Sequence, residues 1–102
     1  MTVQKMTERK ISVVVLRNTN LGDFVETVLP AGGKILGVGA DRLNHLLHLY
    51  VEHTNGVPTK DTRYFVVLGP DCVFDVGVNV KCVGFVEVAG CGPRFVYEDP
   101  RI

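Results

Sequence analysis

The chain has no net charge, because its 11 Lys and Arg are matched by 11 Asp and Glu. That balance removes any long-range attraction toward nucleic acid or an anionic membrane. No apolar run approaches the roughly 18 residues that a membrane helix needs. The first ten residues carry Lys5, Glu8, Arg9 and Lys10 and lack the apolar core of a signal peptide, so the chain reads as cytosolic. Cysteine is scarce. The three present, Cys72, Cys82 and Cys91, are odd in number and contain no Cys-x-x-Cys pairing. This argues for free thiols, against a disulfide framework and against a zinc knuckle. Internal repeats, linkers and low-complexity segments are missing as well.

What is there is a 102-residue chain, 46% hydrophobic and 22% charged, a composition that excludes a disordered tail. A chain of this length forms one domain and buries roughly 65% of its unfolded surface, enough for a core without staples. Residues Met1 to Arg9 read as a flexible lead-in and residues 10–102 as a single β domain. The β-branched run Ile11 to Leu16 is the clearest strand. Asn18 to Asp23 is a turn cluster, Phe24 to Leu29 a second strand, Pro30 to Gly33 a break, and Lys34 to Gly39 a third strand. A polar loop with an Asn55-Gly56 turn signal leads to Arg63–Leu68, apolar on both faces and therefore central or covered. Cys72 to Val80 is ambiguous, with room for a short edge segment. Lys81 to Val88 is a strand whose Gly84 marks a bulge or a close backbone approach. Ala89 to Pro93 turns the chain into a last strand, Arg94 to Glu98. The whole pattern is all-β: a small sandwich or compact barrel of six or seven mostly antiparallel strands.

The stretch from Ala40 to His53 can be parsed in two ways. As a helix, Leu43, Leu46, Leu47, Tyr50 and Val51 form one apolar face, with Asp41 as N-cap and Gly56 past the end. As a strand, Leu47, Leu49 and Val51 face one way and His48 and Glu52 the other. The strand reading is preferred, because Leu49 falls off the helical stripe and His48 to Val51 is a poor helix former.

Val28 to Val38 resembles the first hairpin of a family of small, uncharacterised tailed-phage proteins. Leu47 to Glu52 resembles that family's next strand, and Arg63 to Gly69 its following strand and glycine. Cys82-Val83-Gly84-Phe85 and Phe95-Val96-Tyr97-Glu98 resemble its last two strands, so the likeness runs over about residues 24–99. One departure is plain: where the family often has a second glycine and a histidine, Gly69 is followed here by Pro70-Asp71-Cys72. The resemblance implies a phage origin, expression in the host cytoplasm, and no established activity.

Chemistry-bearing residues are few. On a helix, His45, His48 and Glu52 would stand together; on a strand, His45 and His53 share a face but lie about 26 Å apart and His48 points the other way. Neither matches the one-turn spacing of zinc helices, so no metal is expected. Cys82 alternates with Gly84, Val86 and Val88 and reads as a small core residue, whereas Cys91, between two glycines, reads as exposed. Pro30-Ala31-Gly32-Gly33-Lys34 and Gly90-Cys91-Gly92-Pro93-Arg94 each end in a cation, but lack the spacing and helix of a Walker loop and read as hairpin turns. The carboxylate pairs Asp71 and Asp75, and Glu98 and Asp99, read as solubilising charges.

The side chains that could meet a small anionic ligand are then Lys34, His48, Arg63 and Arg94. No catalytic set and no cofactor are expected. The leading expectation is a non-enzymatic phage accessory protein that binds and inhibits a host factor or sequesters a small anionic defence signal. A virion structural or decoration module is the alternative. Val13, Val15, Leu49, Phe65, Val67, Val83 and Phe85 form the expected core. Several strands are apolar on both sides, more than one sandwich core covers, so self-association into a homodimer or higher oligomer is expected.

Overall fold

The computed structural model describes residues 8–17, 20–41, 46–74 and 80–100. Among them are seven strands and no helix: β1 (Arg9–Leu16), β2 (Phe24–Pro30), β3 (Lys34–Ala40), β4 (Leu47–Thr54), β5 (Lys60–Leu68), β6 (Lys81–Val88) and β7 (Gly92–Asp99). They form two sheets, one ordered β1-β4-β3 and the other β2-β5-β7-β6, and every ladder is antiparallel. The all-β expectation holds, and of its two forms the sandwich is the one adopted. The sheets do not close into a barrel.

The stretch that could be parsed two ways is strand from Leu47 onward. Leu47, Leu49, Val51 and His53 point inward, and His48, Tyr50, Glu52 and Thr54 point outward. Residues 42–45, and with them His45, lie outside the described residues. So do residues 75–79, which include Asp75 and most of the ambiguous segment after Cys72, and the first seven residues of the expected lead-in. Arg9, placed at the end of that lead-in, opens β1.

The core lies between the sheets. Leu16 on β1, Leu29 on β2, Leu49 and Val51 on β4, Phe65 and Val67 on β5 and Val96 on β7 are all sealed from solvent. Leu49, Phe65 and Val67 are as expected, and Val83 is half-buried against this cluster. Val13 and Val15 are not core residues: they are 58% and 41% exposed. A one-residue change of parity turns every side chain of a strand to its other face, and in β1 the inward set is Ser12, Val14 and Leu16. Ser12 is there because it has a buried partner. His53 Nδ1 donates to the Thr54 carbonyl (2.9 Å), which leaves its Nε2 to accept from the Ser12 hydroxyl at 2.7 Å.

Phe85 and Cys82 are also corrected. The ladder between β6 and β7 shifts between Cys82 and Gly84, a bulge that resets the alternation. Cys82 and Phe85 both end on the outer face and are exposed, and Phe85 stacks at a tilt on Phe95, its cross-strand neighbour, with ring centroids 5.9 Å apart.

The same segment brings the two sheets together along one side. A Cβ on Gly84 would lie 2.9 Å from Val38 Cγ2 and 3.4 Å from the Val38 backbone nitrogen, so β6 rides directly on β3. Gly84→Ala is therefore expected to cost about 1–3 kcal/mol of stability, as overpacking does elsewhere. Urea titration measures it, and an unchanged midpoint would mean that the two strands are not in contact.

On the opposite side the sheets stand apart. The edges of β1 and β2 flank a cleft lined by Val13, Val15, Arg17, Glu26, Thr27 and Val28. Among the described residues β1 pairs only with β4 and β2 only with β5. The segment Pro30 to Gly33 is thus not a hairpin turn, contrary to expectation: it carries the chain from one sheet to the other. Gly90 to Gly92 does join paired strands.

Candidate binding surface

The outer face of the three-stranded sheet is a grid set by its ladders. Ile11, Glu52 and Lys34 form one row, Val13, Tyr50 and Gly37 the next, and Val15, His48 and Gly39 the third. The β1 column is wholly apolar and exposed, and Tyr50 extends it onto β4. Glycines on β3 make the third column low. A Cβ at Gly39 would run into the His48 ring and come within 2.8 Å of the Tyr50 hydroxyl, so the two rings lean into the space that a side chain would fill. Above Gly37 a Cβ would meet nothing, which leaves a shallow recess beside Tyr50.

The two rings brace each other. His48 and Tyr50 meet edge to face, with centroids 5.1 Å apart and interplanar angle 83°, and His48 Nε2 lies 3.0 Å from the Tyr50 hydroxyl. Charge sits at the two ends of the face: at one, Arg9 bridges Glu52 at 3.2 Å and Lys34 stands opposite the same carboxylate in the ladder, and at the other Arg17 follows Val15. The surface is therefore an apolar ridge, a fixed aromatic pair and a flat glycine floor, with a small polar margin. It offers contact area and shape.

The four expected ligand-contacting residues do not converge. Lys34 and His48 share this face. Arg63 lies inside. Its Nε and Nη2 donate to the two carboxylate oxygens of Glu98 at 2.5 and 2.8 Å, and its Nη1 donates to the Gly33 carbonyl at 2.6 Å. The bond to Glu98 holds the guanidinium above its usual pKa range, against the opposing effect of burial. Arg94 is folded onto its own turn, where Nη1 donates to the carbonyls of Cys91 and Pro93.

The glycine segments are committed too. Gly32 N–H donates to the Asp61 carboxylate at 3.0 Å and Gly33 N–H to the Pro30 carbonyl at 3.0 Å. An anion at that turn would have to displace a carboxylate. Among the described residues no three His, Cys, Asp or Glu gather as metal ligands, and the three cysteines form no disulfide. His48 and His53 face opposite sides of β4.

Sequence reasoning missed Tyr50, Val13 and Ile11 as surface residues. A signal for them was present in Gly37 and Gly39, two glycines at strand period on one face, which mark a place where something else lies close to the backbone. A second apolar surface lies on the outer face of the four-stranded sheet, where Val66 and Leu68 floor a pocket of about 460 Å³ walled by Leu21, Phe24 and Phe74. Its wall is described only up to Phe74 and again from Val80.

Compared with protein-family models, with curated proteins and with solved structures, the chain matches none.

Proposed function

We propose that the protein is a phage accessory protein that works by binding rather than by catalysis, laying the outer face of its three-stranded sheet against a host protein and blocking it. The observation that carries this reading is the unbroken apolar column Ile11, Val13 and Val15 with Tyr50 beside it, on a face whose β3 column is Lys34, Gly37 and Gly39. Apolar faces that are flat and contiguous are the usual mark of protein contact. Tyr is also among the residues that carry most of the energy at such contacts. A small anionic signal is the weaker candidate for the ligand. Arg63 and Arg94 are engaged within the fold, which leaves Lys34 and His48 on a face that also holds Glu52.

The test is capture from host lysate with the tagged protein, identifying proteins and small molecules together, in parallel with Tyr50→Ala. Tyr50 is partly exposed on the outer face. Its truncation is expected to move the melting temperature by no more than about 4 °C. The same change should weaken the captured partner by about 2 kcal/mol, roughly 30-fold. A partner held equally well by the variant, or a nucleotide-like anion found in place of a protein, would overturn the reading. Recovery of the protein at high copy in purified particles would favour the virion alternative.

A further inference from the structure

We infer that the free edge of β1 is a self-pairing edge, and that two copies of the chain join there as antiparallel strands across a two-fold axis to make one continuous six-stranded sheet.

Among the described residues the sandwich has four strand edges, and three are guarded. β3 carries a register shift between Ile35 and Gly37 and is overlain by β6 at Val38, and β6 carries its own bulge at Gly84. β2 ends in Pro30, which has no N–H to give, and exposes Glu26. β1 lacks the register shift, the proline and the covering strand, and its charges, Arg9 and Lys10, are confined to its first two residues. It keeps register with β4 over all eight residues without a shift, contains no proline or glycine, and turns Ile11, Val13 and Val15 to solvent. Alternate N–H and C=O groups of such a strand point away from its one neighbour, ready to pair.

The occupant is a second copy because β1 is complementary to itself. With Val13 on the axis, Val13 meets its own counterpart and Ile11 lies opposite Val15 of the second copy, so the apolar column doubles in width and no polar residue interrupts it. The cations Arg9 and Arg17 fall opposite each other at the ends, and Arg9 already has Glu52 as a counter-charge. A chain without net charge adds no general repulsion. A two-fold contact of this kind closes on itself and does not propagate into fibres.

Sedimentation and residue-resolved amide exchange test this on the full chain. The wild type is expected at twice the chain mass at micromolar concentration, with all amides from Ile11 to Val15 protected rather than every second one. Val13→Lys is expected to halve the mass and expose the alternate amides. Should that variant fail to fold, Ile11→Lys at an equally exposed position serves in its place. Tyr50→Ala is expected to stay dimeric, because Tyr50 lies on the central strand and not on the edge. A monomeric wild type, a lysine variant that keeps the doubled mass, or a dimer broken by Tyr50→Ala would each overturn the edge pairing. Since Tyr50→Ala is also the variant that should lose the host partner, the failure of one reading leaves the other standing.

Discussion

Phe65→Ala is expected to lower the free energy of unfolding by about 3–5 kcal/mol, the range for removing a fully buried phenylalanine. Phe65 is sealed from solvent on β5, with Val25 of β2 on one side in the ladder and Glu98 of β7 on the other. It is the largest of the fully buried side chains and belongs to the cluster shared by both sheets. Taking away its ring leaves a cavity that strands paired on both sides cannot close by shifting. Urea denaturation monitored by circular dichroism gives the value, and comparable slopes for the two proteins would keep the comparison valid. A loss under about 1 kcal/mol would mean that Phe65 does not fill the core.

Arg63→Ala is expected to be nearly as damaging, for a different reason. It removes both donors from the carboxylate of Glu98, which is only 5% exposed, and it frees the Gly33 carbonyl. Breaking a fully buried pair from one side costs about 3–5 kcal/mol, because the remaining charge has lost its compensation, and with the Arg63 side chain 23% exposed the lower end of that range is expected here. The double replacement Arg63→Met with Glu98→Leu removes both charges and is expected to recover most of that loss. If the double variant were as unstable as the single one, the contribution of Arg63 would be packing and not the pairing of a buried charge. The interaction matters for shape as well, since the bond to the Gly33 carbonyl ties the crossing from β2 to β3 onto β5, the neighbour of β2 in its own sheet.

The strands were legible because they are short, β-branched and separated by glycine, proline and asparagine, and each of those signals acts within a few residues. All seven were found close to their bounds. Which face of a strand is buried was less legible. In β1 the run Val13-Val14-Val15 is apolar at every position, and Ser12 made the wrong parity look like the core set. Its burial depends on His53, 41 residues away, which local pattern does not reveal. In β6 the glycine was recognised as a bulge site, but the reversal it imposes on Cys82 and Phe85 follows only from the register with β7.

Connections were read as hairpins wherever a turn was tight, although a turn such as Pro30 to Gly33 serves equally well to cross between sheets. Of the candidate surface, Lys34 and His48 were visible as exposed polar types. Tyr50 and the β1 column were not, because an apolar residue on a strand looks the same whether it faces the core or the solvent. Arg63 looked available for a ligand because nothing near it in sequence shows Glu98.

The order in which the strands pair has a further consequence, for how the chain reaches this state. β1 waits for β4 and β2 waits for β5, so the two spans interleave. A chain leaving the ribosome exposes its first three strands before any of them has a neighbour to pair with, and β2 stays without one until residue 60 and beyond has emerged. Large loops must close before the core rewards them, which places the protein among slowly folding β-topologies, with times of order milliseconds to seconds. The valine run of β1 spends that interval uncovered. The apolar edge strand of the finished protein is thus also, with β2, one of the two segments that wait longest for a neighbour during synthesis.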